Sequence, residues 1–361
     1  MGRGLQRAWS VAAAAGLVNA ACTYVRPIPD APLAADTAHA APLAQRWLAR
    51  VNQGFLGPMV LSRDTLIGSG YDRRVVALDL ASGRKLWEVR LNGGASAGIA
   101  GTGDTVFAAS DRPDGSVQAM HRGTGDVVWR RRHTGRIALP LLLTDSLVVA
   151  APSTGNVLAL DRARGKVRWV HRMAPLAAPP EAGASGELVV ATDDSIYRLA
   201  LADGKLLGAV AAPGATSAPW IRHDSLLILV TGSGVVAAVR VNDLQVAWQV
   251  QVDGPILVPP AISGDTAWIA TQAGHLFRIP LSDHALERFA EMADPVSAPP
   301  TPWRGWVLVG MADGTLRALG PDGVEAWRVG VGRPLVQPPI VLPHGLLIVG
   351  GRGDLHRMVS R

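Results

Sequence analysis

One cysteine, Cys22, occurs in 361 residues, which excludes an intramolecular disulfide and a cysteine-rich metal site. Charge is sparse: 18% of residues are charged against 48% hydrophobic, a balance that supplies core material and does not match a disordered chain. The net charge is +6, from 35 basic and 29 acidic residues. With Arg3 and Arg7 in a segment expected to be removed it falls to +4, too small an excess to point to nucleic acid. No His-x-His or His-Glu-x-x-His spacing occurs among His121, His133, His171, His223, His275, His284, His344 and His356. These are read as solvated loop histidines, with a metal site assembled across distant segments left open. No helical pattern of about 10–15 residues separates the apolar runs, so alternating strand–helix wrapping is disfavoured.

A long apolar run is also missing. The N-terminal stretch from Ala8 to Ala21 has 14 residues, too few to span a bilayer comfortably. A basic start, this short apolar run and small residues before Cys22 describe an export signal over 1–21. A buried N-terminal helix is the alternative. Ala20 and Ala21 before Cys22 resemble a bacterial lipobox, in which the cysteine is lipidated and becomes the first mature residue. Asn19 departs from that pattern, and Val18 with Ala20 could instead serve an ordinary signal peptidase. Thr23 lacks the aspartate that, in the lipoprotein pattern, favours inner-membrane retention. Residues 22–43 are Pro/Ala-rich and read as a tether for a folded part over 44–361.

What the chain has instead is repetition. Glycine, three residues and tryptophan recur as Gly83/Trp87, Gly125/Trp129, Gly165/Trp169 and Gly323/Trp327. Trp47 and Trp248 hold the phase without the glycine, and Gly208 and Arg288 hold it without the tryptophan. The ladder 47, 87, 129, 169, 208, 248, 288, 327 steps by 39 to 42 residues. Pro58, Pro140, Pro180, Pro219, Pro260, Pro300 and Pro339 keep the same step, with Gly98 standing in once. Two markers at one period identify a repeat protein.

Each unit reads as strands. In the unit from Ala298, WVLVG, TLRAL and VEAWRV are separated by ADG and PDG turns, whose glycines supply the positive φ of tight hairpins. With the strand starting near each proline, that makes four antiparallel strands per roughly forty residues, the spacing of a propeller blade. Residues 41–361 hold about eight such units. The last unit stops after three strands, and the strand around Trp47 has no hairpin before it. Pairing them completes an eighth blade and leaves no open edge. The expected fold is therefore an all-β, eight-bladed propeller. Trp47, Trp87, Trp129, Trp169, Trp248 and Trp327 are expected to pack between neighbouring blades, each ring N–H finding a carbonyl, and the prolines to start the inner strands.

The motif Ala-x-Asp-x-x-x-Gly-x-x-x-Trp, complete from Ala77 to Trp87 and from Ala159 to Trp169, resembles the tryptophan-docking repeat of the PQQ-type β-propellers. His121 replaces the aspartate in the unit at Ala119. One branch of that group, the quinoprotein dehydrogenases, uses an adjacent cysteine pair and a calcium site rich in acids and amides. This sequence has neither. The other branch, the BamB-type lipoproteins, is similar in size, cofactor-free and lipid-anchored. That resemblance implies a non-enzymatic, monomeric scaffold at the outer membrane, facing the periplasm, that docks on the barrel-inserting subunit of the assembly machinery. A propeller holding a small molecule or glycan in its channel is the alternative.

Three short stretches remain. The WRRRH stretch places Arg130, Arg131 and Arg132 at the end of an outer strand, where alternation sends Arg130 and Arg132 to one face and Arg131 to the other. They read as edge charges blocking aggregation or as a docking patch for an acidic partner loop. The WRGW stretch lies off the ladder phase and has the composition of an interface hot spot. Trp303 and Arg304 are its candidate partner-binding residues, with Trp306 assigned to the core. GRGD at 351–354 matches the phase of a hairpin turn and is read as one rather than as an adhesion motif.

Overall fold

The computed structural model describes residues 41–51, 54–70, 72–183, 186–351 and 353–361. The export segment, Cys22 and most of the 22–43 tether lie outside them. The described chain is all-β and contains no helix. Eight four-stranded antiparallel sheets follow one another: blade 1 at residues 56–90, blade 2 at 99–132, blade 3 at 142–172, blade 4 at 181–211, blade 5 at 221–251, blade 6 at 261–291 and blade 7 at 301–330. Blade 8 takes three strands from 340–360 and its outermost from Leu43–Arg50. First strands of blades 1 and 2, of 2 and 3, and of 5 and 6 contact one another, which places the first strands along the axis. Seven of the eight begin at or within two residues after the recurrent proline or Gly98. Pro58 instead lies inside its strand, Leu56–Ser62.

Each motif residue has a local reason. Ala77, Ala119, Ala159, Ala238 and Ala318 stand directly across the ladder from Trp87, Trp129, Trp169, Trp248 and Trp327, with a register shift immediately after. A small residue opposite and a bulge beside each indole let a bulky ring leave the sheet towards the next blade. The aspartate builds the outer hairpin turn: Asp79 Oδ1 accepts the Ser82 N–H at 2.8 Å, and Asp161 Oδ1 the Arg164 N–H at 2.9 Å. The glycine ends that turn at positive φ, +67° at Gly165 and +72° at Gly204, and its bare Cα is the floor on which the previous blade's tryptophan rests.

The degenerate units compensate. Blade 4 carries Gly208 where the ladder expects tryptophan, and blade 5 then has Leu244 in place of the turn glycine, still at φ 60°. Leu244 is 3% exposed and joins a buried cluster with Trp220 and Val241, against which Val210 of blade 4 packs. In blade 6 the turn residue is His284, whose ring stacks on Trp248 at 5.0 Å.

Ring closure follows the same rules. Leu43–Arg50 pairs antiparallel with Asp354–Ser360. Arg50 Nε donates to Asp354 Oδ1 at 2.9 Å, and His356 Nδ1 lies 2.8 Å from Gln45 Oε1. Trp47 then docks on blade 1 as the other tryptophans dock on their neighbours. Arg352 of the GRGD stretch lies outside the described residues. Asp354, its last residue, is 7% exposed and held by Arg50 inside the seam.

Candidate functional site

The blades divide the molecule into two faces. Turns between first and second strands and between third and fourth strands share one face, tied by bonds such as Leu80 N–H to Asp64 O at 2.7 Å and Arg122 N–H to Asp104 O at 2.8 Å. Turns between second and third strands and the links from blade to blade share the other, as in Gly135 N–H to Pro113 O at 2.8 Å.

The ladder tryptophans lie between blades. Trp47, Trp87, Trp129 and Trp169 donate their ring N–H to the carbonyls of Leu80, Arg122, Arg162 and Leu201 in the following blade, at 2.9 to 3.0 Å. Trp248 and Trp327 are also enclosed, but their ring N–H groups have no acceptor among the described residues. For Trp327 the reason is topological: in blade 8 the third and fourth strands are the two chain ends, so the outer hairpin that would present a carbonyl is not there.

The other candidates fall into two clefts. On the face of the outer hairpins, between blades 6 and 7, a cleft of about 370 Å³ is lined by Trp268, Arg278, Phe289, Trp303, Arg304 and Trp306, among others. The structure reverses the assignment within WRGW. Trp303 is 5% exposed and packs with Leu43, Trp327 and Met358, whereas Trp306 is only half-buried. The two pair directly across a tight hairpin, and blade 8 covers Trp303. Arg304 is exposed, with its guanidinium 5.1 Å from the Trp303 ring and Nη1 donating to Ser360 Oγ at 3.0 Å. Trp268 and Phe289 meet edge-on at 4.9 Å on the blade 6 wall. Both are off the ladder phase, so the repeat gave no sign of them.

On the opposite face, between blades 2 and 3, a larger cleft of about 610 Å³ is lined in part by Arg131, Arg132 and His133. Simple alternation fails here. Arg130 turns back to donate to Gln118 Oε1 at 3.2 Å, while Arg131 and Arg132 both reach the cleft, because the strand Val127–Arg132 ends there and the chain bends into the next blade. His133 is not a solvated loop histidine: it is 8% exposed, and burial lowers its pKa. His356, 3% exposed in the seam, departs in the same way, and its burial lowers its pKa to about 4. Four blades separate the two clefts, half of the ring, and they open on opposite faces. The structure therefore does not bring Arg130–Arg132 together with Trp303–Arg304.

Among the described residues no group of three or more His, Cys, Asp or Glu is arranged to hold a metal ion. No helix of the described residues is long and apolar enough to cross a membrane.

Solved structures share the fold. BamB from Moraxella catarrhalis superposes with a TM-score of 0.75 over 88% of this chain and 98% of that one, at 17% identity, and Sqt1 of Saccharomyces cerevisiae with 0.72 at 13%. Among curated proteins, the outer membrane protein assembly factor BamB of Bordetella pertussis is 30% identical over 172 residues, 46% of this chain and 42% of its own. That of Moranella endobia is 24% identical over 263 residues, 64% of each chain. The DNA damage-responsive serine/threonine-protein kinase RqkA of Deinococcus radiodurans matches at 36% over 101 residues, 15% of its length. The chain thus spans less than two thirds of each of these curated relatives. A family model described as outer membrane protein assembly factor BamB matches residues 71–283, more than half of the sequence, and the chain belongs to that family.

Proposed function

We propose that this protein is a non-enzymatic scaffold of the cell envelope that assists outer-membrane β-barrel assembly by docking on the barrel-inserting subunit. It works as a monomeric propeller, exported and held by lipidated Cys22 at the outer membrane, facing the periplasm. Family membership supports the assembly role. The observation that carries the docking surface is the Arg304–Trp306 turn, where an exposed guanidinium and a half-buried indole stand over an aromatic cleft. Arginine and tryptophan at the centre of such a pocket are the residues on which protein interfaces concentrate their energy. Trp303 acts beneath them as support.

The test is mild cross-linking in native cells, affinity capture of the tagged full-length protein and mass spectrometry. The reading expects the barrel-inserting subunit in the capture, depleted by Arg304→Glu or Trp306→Ala. Clean capture without that subunit contradicts it.

A further inference from the structure

The cleft between blades 2 and 3 has a construction that docking on the opposite face does not use. His133 is 8% exposed, and both ring nitrogens are enclosed with no geometric hydrogen bond among the described residues. Burial lowers the pKa of the ring, and the nearby backbone of Gly135 and Ser110 opposes that shift. Both ring nitrogens are enclosed, so the ring packs as part of the cleft wall and presents no open donor. Gly115 makes room for the ring: a Cβ there would lie 2.9 Å from His133 Cε1.

Two cations precede His133 along the lining of the cleft. Arg131 and Arg132 are exposed, and neither forms an ion pair with any described residue. Asp114, also on the rim, lies 3.7 Å from Arg112, which carries its charge. Asn156 Nδ2 donates to Thr154 Oγ1 at 3.1 Å. The far wall is apolar and left in the open: Val167 is 37% and Val170 50% exposed, above Leu158. The volume of about 610 Å³ falls in the range of small-ligand sites.

We infer that this cleft binds a small amphiphilic oxyanion, a carboxylate or phosphate head held by Arg131 and Arg132 beside the enclosed His133, with an apolar body lying on Leu158, Val167 and Val170. Guanidinium groups match the two-oxygen edge of either head. The valines explain why a bare inorganic anion is not the preferred occupant.

Calorimetric titration of the purified full-length protein with hexanoate, hexyl phosphate, inorganic phosphate and hexanol tests this. Either or both amphiphilic anions bind, and their ratio identifies the head. Inorganic phosphate and hexanol bind at least about tenfold more weakly than the better anion. Arg131→Gln and Arg132→Gln, both at exposed positions, each weaken it about tenfold with unchanged melting temperature, and Val170→Asp weakens it likewise. The His133 imidazole NMR signals, assigned by comparison with His133→Gln, move on binding. Failure of both anions to bind at millimolar concentration overturns the inference. So does hexanol or inorganic phosphate binding as well as the anions, or binding indifferent to the arginine substitutions. Cross-linking to the barrel-inserting subunit is unaffected by any of these outcomes.

Discussion

Trp169 rests on Gly204. The indole N–H reaches the Leu201 carbonyl at 2.9 Å, and a Cβ added to Gly204 would stand 2.5 Å from the ring. One bond and one missing side chain tie blade 3 to blade 4, and the same pair of devices recurs at Trp47/Gly83, Trp87/Gly125 and Trp129/Gly165.

Gly165→Ala should therefore cost more than backbone strain alone. Gly103 has φ +53° and open space around its would-be Cβ, whereas at Gly165 the Cβ would lie 2.5 Å from the Trp129 ring. Gly103→Ala is expected to lose about 1 kcal/mol, and Gly165→Ala about 3 kcal/mol, in urea unfolding. Equal losses would mean the glycine is there for its φ and not for the indole.

The exchange of Gly208 and Leu244 makes a double-mutant prediction. Leu244→Gly empties a buried site and should cost about 2–4 kcal/mol. Gly208→Trp, which restores the ladder residue, should recover part of that loss only when Leu244 is already glycine, with a coupling of about 1 kcal/mol or more. Additive effects would show that the two positions do not share one space.

The seam of blade 8 sets an acid sensitivity. Burial lowers the His356 pKa from 6.5 to about 4, the Asp354 carboxylate opposing the shift and Arg50 adding to it. The folded state holds this ring neutral while the unfolded chain takes up a proton. The contribution is therefore complete above pH 6.5, is lost as pH falls towards about 4, and levels off below. The full loss is about 3 kcal/mol, and His133 adds in the same direction. His356→Gln should flatten the dependence of the urea midpoint across that window. An unchanged slope would show that other groups set it.

Cys22→Ser should abolish incorporation of radiolabelled lipid and move the protein from the membrane to the soluble periplasmic fraction. Label retained on the serine variant would contradict the anchor.

The blade was legible because each residue of its motif acts through a neighbour at fixed spacing: Ala77 opposite Trp87, Asp79 capping its own turn, Gly125 under the ring. Closure was legible because an orphan strand and a three-stranded blade each lacked what the other had. The clefts were not. Trp303 and Trp306 face each other across one hairpin, and which is covered depends on blade 8, contributed by both chain ends. His133 followed three arginines and looked solvated; its burial depends on Gly115, 18 residues earlier, and on the wall of blade 3. Contacts made at one junction between blades and not repeated at the others leave no period to read.

The central claim is tested most directly by placing a photo-crosslinking amino acid at position 304 of the full-length protein in growing cells. The account predicts an ultraviolet-dependent adduct with the barrel-inserting subunit from this position, and none from position 131 on the opposite face. No adduct from position 304, or one from position 131 instead, would contradict it.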